Sequence, residues 1–408
     1  MDRRTIRSWA LYDFGNSAFA ALFPFVFGVY YTQHVVGNAD GRGDAWWGRI
    51  SSTSMLLVAL SSPLLGGIAD HAGIRKRMLA LYTAVGVAAV LAFSGVGPGM
   101  VVAGFFLGVL ANFAFEGGNV FYNSFLPEIA PPSHQGRVSG LGFGVGYAGS
   151  LVAIGGAVLV LGRDGPLTAI WILLGCQWAL FALPALRNLP HDRRSGLGVL
   201  RAARQGVRQT FATLRDVLGM RDLRRFLLAY FFYEDGVNTV IIFSSIYATT
   251  SLGFTMTQAL GLLALVQVSA LAGSFAMAGP TDRIGPKRVV RGVLLWWIVV
   301  VTAAYFAQTK LTFSCVAALA GLGLGSIQAA SRAFMARLVP AGREAEMFGF
   351  YALCGKSGAI LGPLLFGELS QRIGQRGAIL SVAVFYAVGY LLLRRVNLPA
   401  PCSSSDPK

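Results

Sequence analysis

About twelve stretches of roughly 20 mostly apolar residues account for most of this chain, and each is long enough to cross a hydrocarbon core as a helix. Their limits are 9–36, 46–69, 78–96, 99–126, 138–161, 167–187, 226–250, 257–280, 289–307, 311–337, 346–368 and 376–396. Lipid offers no hydrogen-bonding partner to a backbone amide, so each stretch must satisfy its own backbone, and a helix does that within one segment. Charged residues make up 13% of the 408 residues, about half the share usual in soluble domains. The 51 glycines suit helices that approach closely in a membrane. Short joints make neighbours antiparallel. The expected fold class is an all-α polytopic membrane protein of twelve transmembrane helices.

The net charge of +16 sits in the joints. Arg3, Arg4, Arg7, Arg75, Lys76, Arg77, Arg137, Arg283, Lys287, Arg288, Arg291, Arg337, Arg343, Arg394 and Arg395 fall on the side that carries both chain ends, as do the many arginines of 187–225. The opposite side holds Arg42, Arg49, Arg163, Lys310, Arg372 and Arg376. This bias places both termini in the cytoplasm. It also removes the nucleic-acid reading, which needs a basic face on a soluble domain. The basic start resembles a signal peptide, but the run from Trp9 is too long and no small-residue cleavage site closes it, so it reads as an uncleaved first span. Within 187–225, Leu197, Leu200, Val207, Phe211, Leu214 and Leu218 recur at helical spacing among arginines, which predicts an amphipathic basic helix on the inner leaflet or a solvated linker helix. The expected organisation is a first six-helix bundle over 1–187, this linker over 188–225, a second six-helix bundle over 226–398 and a short tail over 399–408.

The two halves repeat one another. Gly66 to Lys76, with Asp70 and Gly73, is echoed by Ala278 to Arg288, with Asp282 and Gly285. Tyr12-Asp13-Phe14-Gly15-Asn16 is echoed by Tyr233-Glu234-Asp235-Gly236-Val237-Asn238. Repeated halves with polar groups at their interface are a transporter pattern. The Asp70 and Asp282 loops resemble the loop motif of the major facilitator superfamily, although His71, Ile74 and Pro286 stand where that motif has basic residues. A narrower resemblance rests on Trp9 to Phe19, Phe121 to Glu128, Gly136 to Gly140 and Gly342 to Glu346. These segments resemble the vacuole-effluxer branch, the autophagy-related vacuolar amino-acid exporters and their bacterial relatives. The resemblance implies two pseudo-symmetric bundles, alternating access, residence in a bacterial inner membrane and amino acids as the solute.

A charge inside a span is costly unless it faces water or a partner, so intramembrane ionisable groups are candidate functional residues. Asn112, Glu116, Asn119 and Asn123 are spaced four, three and four apart and form one polar stripe on a helix, lining a cavity or sealing a seam to a neighbour. Asp13 and Asn16 share a face of the first span. Tyr230, Glu234 and Asn238 share a face of the seventh, with Asp235 turned about 100° away. Two adjacent acids at that depth do not both ionise cheaply, and one of them is a candidate proton carrier. The matching cations are Arg332 and Lys356; Arg332 suits bidentate capture of a carboxylate belonging either to a solute or to the protein. Asp70, Arg75, Lys76, Asp282, Lys287 and Arg288 are candidates for a cytoplasmic gate.

Other features lead nowhere. Gly144 to Gly149 fits G-x-G-x-x-G but lies inside an apolar run with no preceding strand, so it carries no dinucleotide reading. Cys176, Cys315 and Cys354 read as small core residues with no metal spacing. No cofactor and no enzymatic chemistry are expected, since no nucleophile–base pair is visible. The expected partners are a small-molecule substrate, lipid and protons, for a monomer. The leading reading is a secondary transporter, symporter or antiporter, for a small polar solute. The alternative is a receptor or scaffold that binds such a solute without moving it.

Overall fold

The computed structural model describes residues 2–37, 42–163, 165–192, 215, 219–358 and 361–397. Among them the chain is helical throughout: α1 (Arg3–Leu22), α2 (Arg42–Ala72), α3 (Arg75–Ala92), α4 (Val101–Ser124), α5 (Gln135–Leu161), α6 (Leu167–Asn188), α7 (Arg221–Thr250), α8 (Met256–Arg283), α9 (Pro286–Phe306), α10 (Lys310–Leu338), α11 (Glu344–Gly358) and α12 (Leu361–Arg394). Nine of the described helices are long and apolar enough to cross a membrane on those criteria alone. The first, seventh and eleventh spans fall outside that set, and these are the ones that carry Asp13, Glu234 with Asp235, and Lys356.

Local sequence explains the irregular places. α1 runs on through wide π-type turns over Phe23–Phe27 and Tyr31–Val36, beginning where Pro24 withholds an amide from the helical ladder. Each repeated loop turns on a glycine with positive φ: Gly73 at 62° after α2 and Gly285 at 90° after α8. Pro286 then opens α9, where its missing N–H is no loss. α12 is broken at Gly374 (φ 77°, ψ 160°), and Arg376–Arg394 beyond the break is the twelfth span. The expected amphipathic linker helix and the tail lie largely outside the described residues.

In the first bundle α1 packs on α5 and α6, and α3 on α4 and α6; in the second, α7 packs on α11 and α12, and α8 and α9 on α10. The two bundles meet through α2 on α11, α5 on α8 and α10, and α4 on α11. Glycines set how closely they meet. A Cβ on Gly140 of α5 would lie 2.6 Å from the Ala278 Cβ of α8, and one on Gly66 of α2 would lie 2.4 Å from the Ala345 carbonyl oxygen of α11. Both of these approaches lie on the side of the two chain ends, the terminal side. Toward the far side a cavity of about 280 Å³ lies between α1 with its extension, α5 and α8, its walls including Leu22, His34, Ile154 and Leu263.

Leu60, Phe106, Leu180 and Val299 are each more than 60% exposed. A continuous belt of that kind is tolerated where hydrocarbon covers it. Cys176 and Cys315 belong to this outer surface, which corrects their expected place in the core; a thiol is small and apolar enough for either setting.

Lys76 and Lys287 do not reach across to the other bundle. Lys76 Nζ donates to the Arg187 and Leu189 carbonyls at the end of α6 (3.2 and 2.8 Å), and Lys287 Nζ donates to the Arg394 and Val396 carbonyls at the end of α12 (3.0 and 2.5 Å). Each ammonium caps the negative end of a helix in its own bundle. Lys76→Ala is therefore expected to lower stability by about 1 kcal/mol, seen as a reduced Tm, while the spacing of the bundles stays as in wild type.

Candidate functional site

The polar groups that link the bundles lie at three depths. At the terminal edge, the Asp70 carboxylate accepts from the main-chain N–H groups of Ala345 (3.2 Å) and Glu346 (2.9 Å). Its repeat partner Asp282 accepts from Gly136 (2.7 Å) and Arg137 (3.0 Å). Both acids thus satisfy the second and third amides of a helix in the opposite bundle, α11 and α5. Those amides have no partner within their own helix, and the positive end of the helix favours an anion there. Arg75 gathers Glu128 (2.7 Å), Glu344 (3.4 Å) and Asp70 (3.7 Å). Arg337, met in the sequence as a topology charge, stands 3.7 Å from Asp282. Arg288 is exposed on the surface.

One layer deeper lies Arg332 of α10, whose side chain is 2% exposed. Its Nε donates to Ser139 Oγ (2.9 Å), Nη2 to the Ser139 carbonyl (2.7 Å), and Nη1 to Asn123 Oδ1 (3.1 Å) and Asp13 Oδ2 (3.3 Å). The guanidinium carbon sits 3.9 Å from the Phe143 ring centroid and 4.7 Å from that of Trp9. Every one of these partners belongs to the first bundle. Asp13 also accepts from the Tyr122 hydroxyl (3.1 Å). Of the two readings open for Arg332, the protein's own carboxylate is the one it meets here. Ser139 falls in the Gly136 to Gly140 segment of the resemblance, but neither it nor Phe143 is a site candidate from the sequence; a lone serine and phenylalanine in an apolar span give no such signal without the fold.

The third layer is central. Lys356 Nζ of α11 lies 2.7 Å from Glu116 Oε1 of α4, with side chains 28% and 14% exposed. Asn16 Nδ2 donates to Asn119 Oδ1 (2.8 Å), and the Tyr147 hydroxyl of α5 to Gln328 Oε1 of α10 (2.6 Å). Glu234 is half-buried and within electrostatic reach of Lys356 and Glu116. Tyr230 is buried, its ring 4.0 Å from that of Tyr351. Asn238 is half-buried a turn further along α7, whereas Asp235 is wholly buried. The two neighbouring acids therefore occupy different surroundings, as their angular offset on a helix requires.

The α4 stripe splits by partner. Asn112 donates to Ser54 Oγ (2.6 Å) and Asn119 accepts from Asn16, both within the first bundle, while Glu116 and Asn123 meet Lys356 and Arg332 of the second. The centre thus offers a partly accessible cation, two partly buried acids and amides near the seam between the bundles. Such a set can exchange its internal partners for those of a small charged solute. Among the described residues no cluster of potential metal ligands is present.

The family model for vacuole effluxer Atg22-like proteins matches residues 49–400. The uncharacterized MFS-type transporter YxiO of Bacillus subtilis (strain 168) is 31% identical over 402 residues, covering 95% of this chain and 93% of its own length. Autophagy-related protein 22-1 of Neosartorya fischeri is 23% identical, over 84% of this chain and 73% of its own. Among solved structures, the human organic anion transporter MFSD10 (TETRAN) aligns with a TM-score of 0.76 at 16% identity, over 96% of this chain and 99% of that one. FucP, a major facilitator transporter in the outward conformation, aligns with a TM-score of 0.71 at 18% identity, over 97% and 98%.

Proposed function

The chain belongs to the vacuole effluxer Atg22-like family of major facilitator transporters, and on that premise we propose that it moves a small zwitterion, of the amino-acid class, by rocking its two bundles about the central site. The observation that carries this reading is the Lys356–Glu116 pair, 2.7 Å long, partly accessible and shared between α11 and α4. A solute carboxylate takes the place of Glu116 on Lys356, and a solute ammonium is met by the freed Glu116 and by Glu234. Asn16 and Asn119 supply neutral hydrogen bonds that suit either end of the solute. Tyr230 and Asn238 complete the α7 wall.

The terminal side is the cytoplasmic side of a bacterial cell membrane in this reading, supported by the excess of basic residues there. Asp70 and Asp282, with Arg75 and Arg337, hold that side shut, so the solute is met from the far side. Coupling is to protons, carried by Glu234 or Asp235. The working unit is a single chain, since each half of the site comes from one of its own bundles.

Counterflow of labelled amino acids in proteoliposomes tests the reading. Lys356→Gln and Glu116→Gln are each expected to lower uptake by about ten- to a hundredfold, the worth of one hydrogen bond to a charged group. Neutralising the proton carrier at Glu234 or Asp235 abolishes pH-driven uptake and spares exchange. Absence of counterflow for every amino acid tried sinks the substrate class; an unchanged pH dependence in both acid variants sinks the proton.

A further inference from the structure

The surroundings of Arg332 form a finished pocket in the first bundle, and the arginine comes to it from outside. Trp9 Nε1 donates to the Tyr122 carbonyl (3.0 Å), the Trp9 and Tyr122 rings stack at 4.5 Å, and the Tyr122 hydroxyl holds Asp13. These bonds link α1 to α4 and use nothing from α10, so the walls stand whether or not Arg332 is in place. The floor is Gly142 of α5. A Cβ there would lie 2.7 Å from Arg332 Nη2 and 2.7 Å from the Trp9 ring, so the room for the guanidinium exists because residue 142 has no side chain. The acceptors are one carboxylate, one amide oxygen, one hydroxyl and one carbonyl, with Phe143 and Trp9 on the faces. Planar donors between aromatic faces suit a guanidinium; a compact, strongly hydrated ammonium matches neither the fork nor the faces.

We infer that this pocket is a guanidinium-binding site of the first bundle, which Arg332 fills while the terminal side is shut and which admits a guanidino solute once it opens. The inference rests on the alternating-access reading, since rocking of the bundles is what carries α10 and Arg332 out. The pocket lies at the terminal ends of α4 and α5, next to the Asp282 contact, so the crevice that opens there reaches it. A guanidino solute competes with Arg332 and therefore binds the open form alone. Differential binding of that kind is what shifts a population.

Two measurements test this on the full chain in lipid nanodiscs, with Cys176, Cys315, Cys354 and Cys402 replaced by serine. Arg332→Ala protein is titrated with methylguanidinium, against methylammonium at equal ionic strength. A saturable rise in Tm is expected with methylguanidinium alone, weakened at least about tenfold in apparent affinity when Asp13→Asn is added, as for loss of a charged partner. In protein with native Arg332, spin labels at Ser133→Cys and Ala341→Cys, in exposed loops of opposite bundles on the terminal side, report the opening. Agmatine is expected to lengthen their separation; this arm needs no variant in the pocket. Equal responses to methylguanidinium and methylammonium overturn the site. An agmatine-insensitive distance that still responds to a transported amino acid overturns its role for solutes and leaves alternating access standing. A distance that no solute moves removes alternating access and this inference together.

Discussion

Asp13→Asn is expected to move the resting protein from terminal-side-shut to terminal-side-open. The asparagine keeps the size of the carboxyl and still accepts from Tyr122, but the Arg332 guanidinium, 2% exposed, is left without a counter-charge. Breaking a buried pair by removing one partner costs about 3–5 kcal/mol, and about 5.5 kcal/mol separates a 99:1 from a 1:99 population. The cost falls on the shut form, because the open form takes Arg332 out of the pocket. The label separation between Ser133→Cys and Ala341→Cys should therefore lengthen. Adding Arg332→Met, which fills similar volume without charge, should restore most of the shut population, since replacing both members of a buried pair is often neutral. A single variant with wild-type spacing and Tm would show that the pair contributes nothing to closure.

Why the sequence pointed to this pair without deciding its role is a matter of what a one-dimensional pattern contains. The span count was legible because a bilayer enforces both length and apolarity, and the repeat of Asp70 and Asp282 was legible because the turns they precede need glycine at the same place. The 4-3-4 spacing of the α4 stripe marked Glu116, Asn119 and Asn123 as facing inward. It gave no sign that Asn112 would turn to Ser54, because a partner on another helix is outside the pattern.

The edge contacts were hidden for a different reason. By residue type, Lys76, Lys287 and Arg288 are the side chains that match the acids at Asp70 and Asp282. The acids instead meet main-chain amides of α11 and α5, which no residue type announces. With those amides taken, the lysines serve the helix ends of their own bundles. Neither Ser139 nor Gly142 announces this role on its own; they matter because α5 presents them to a side chain nearly two hundred positions away.

The same close approach yields the second large effect. Gly66→Val is expected to prevent the terminal side from shutting and to reduce transport by at least about a hundredfold, as a barrier or population penalty near 3 kcal/mol does. A Cβ at Gly66 would meet the Ala345 carbonyl oxygen at 2.4 Å, its carbon at 2.6 Å and the Glu346 nitrogen at 2.8 Å. All three are backbone atoms of the first turn of α11, so no side-chain rotation relieves the overlap, and α11 must retreat. That retreat also pulls Ala345 and Glu346 from the Asp70 carboxylate, which adds the loss of two hydrogen bonds to a charged group at about 1.5–3 kcal/mol each. Gly279 is the matched control: it lies in the repeat of this segment, and a Cβ there meets nothing within 4 Å. Gly279→Val carries the same change in helix propensity, about 0.5 kcal/mol or less, without the overlap. Counterflow that survives in Gly279→Val and fails in Gly66→Val, with the Ser133→Cys to Ala341→Cys distance lengthened in the latter, is the expected pattern. Equal activity in the two would mean that the α2–α11 contact opens and closes without passing through the approach seen here.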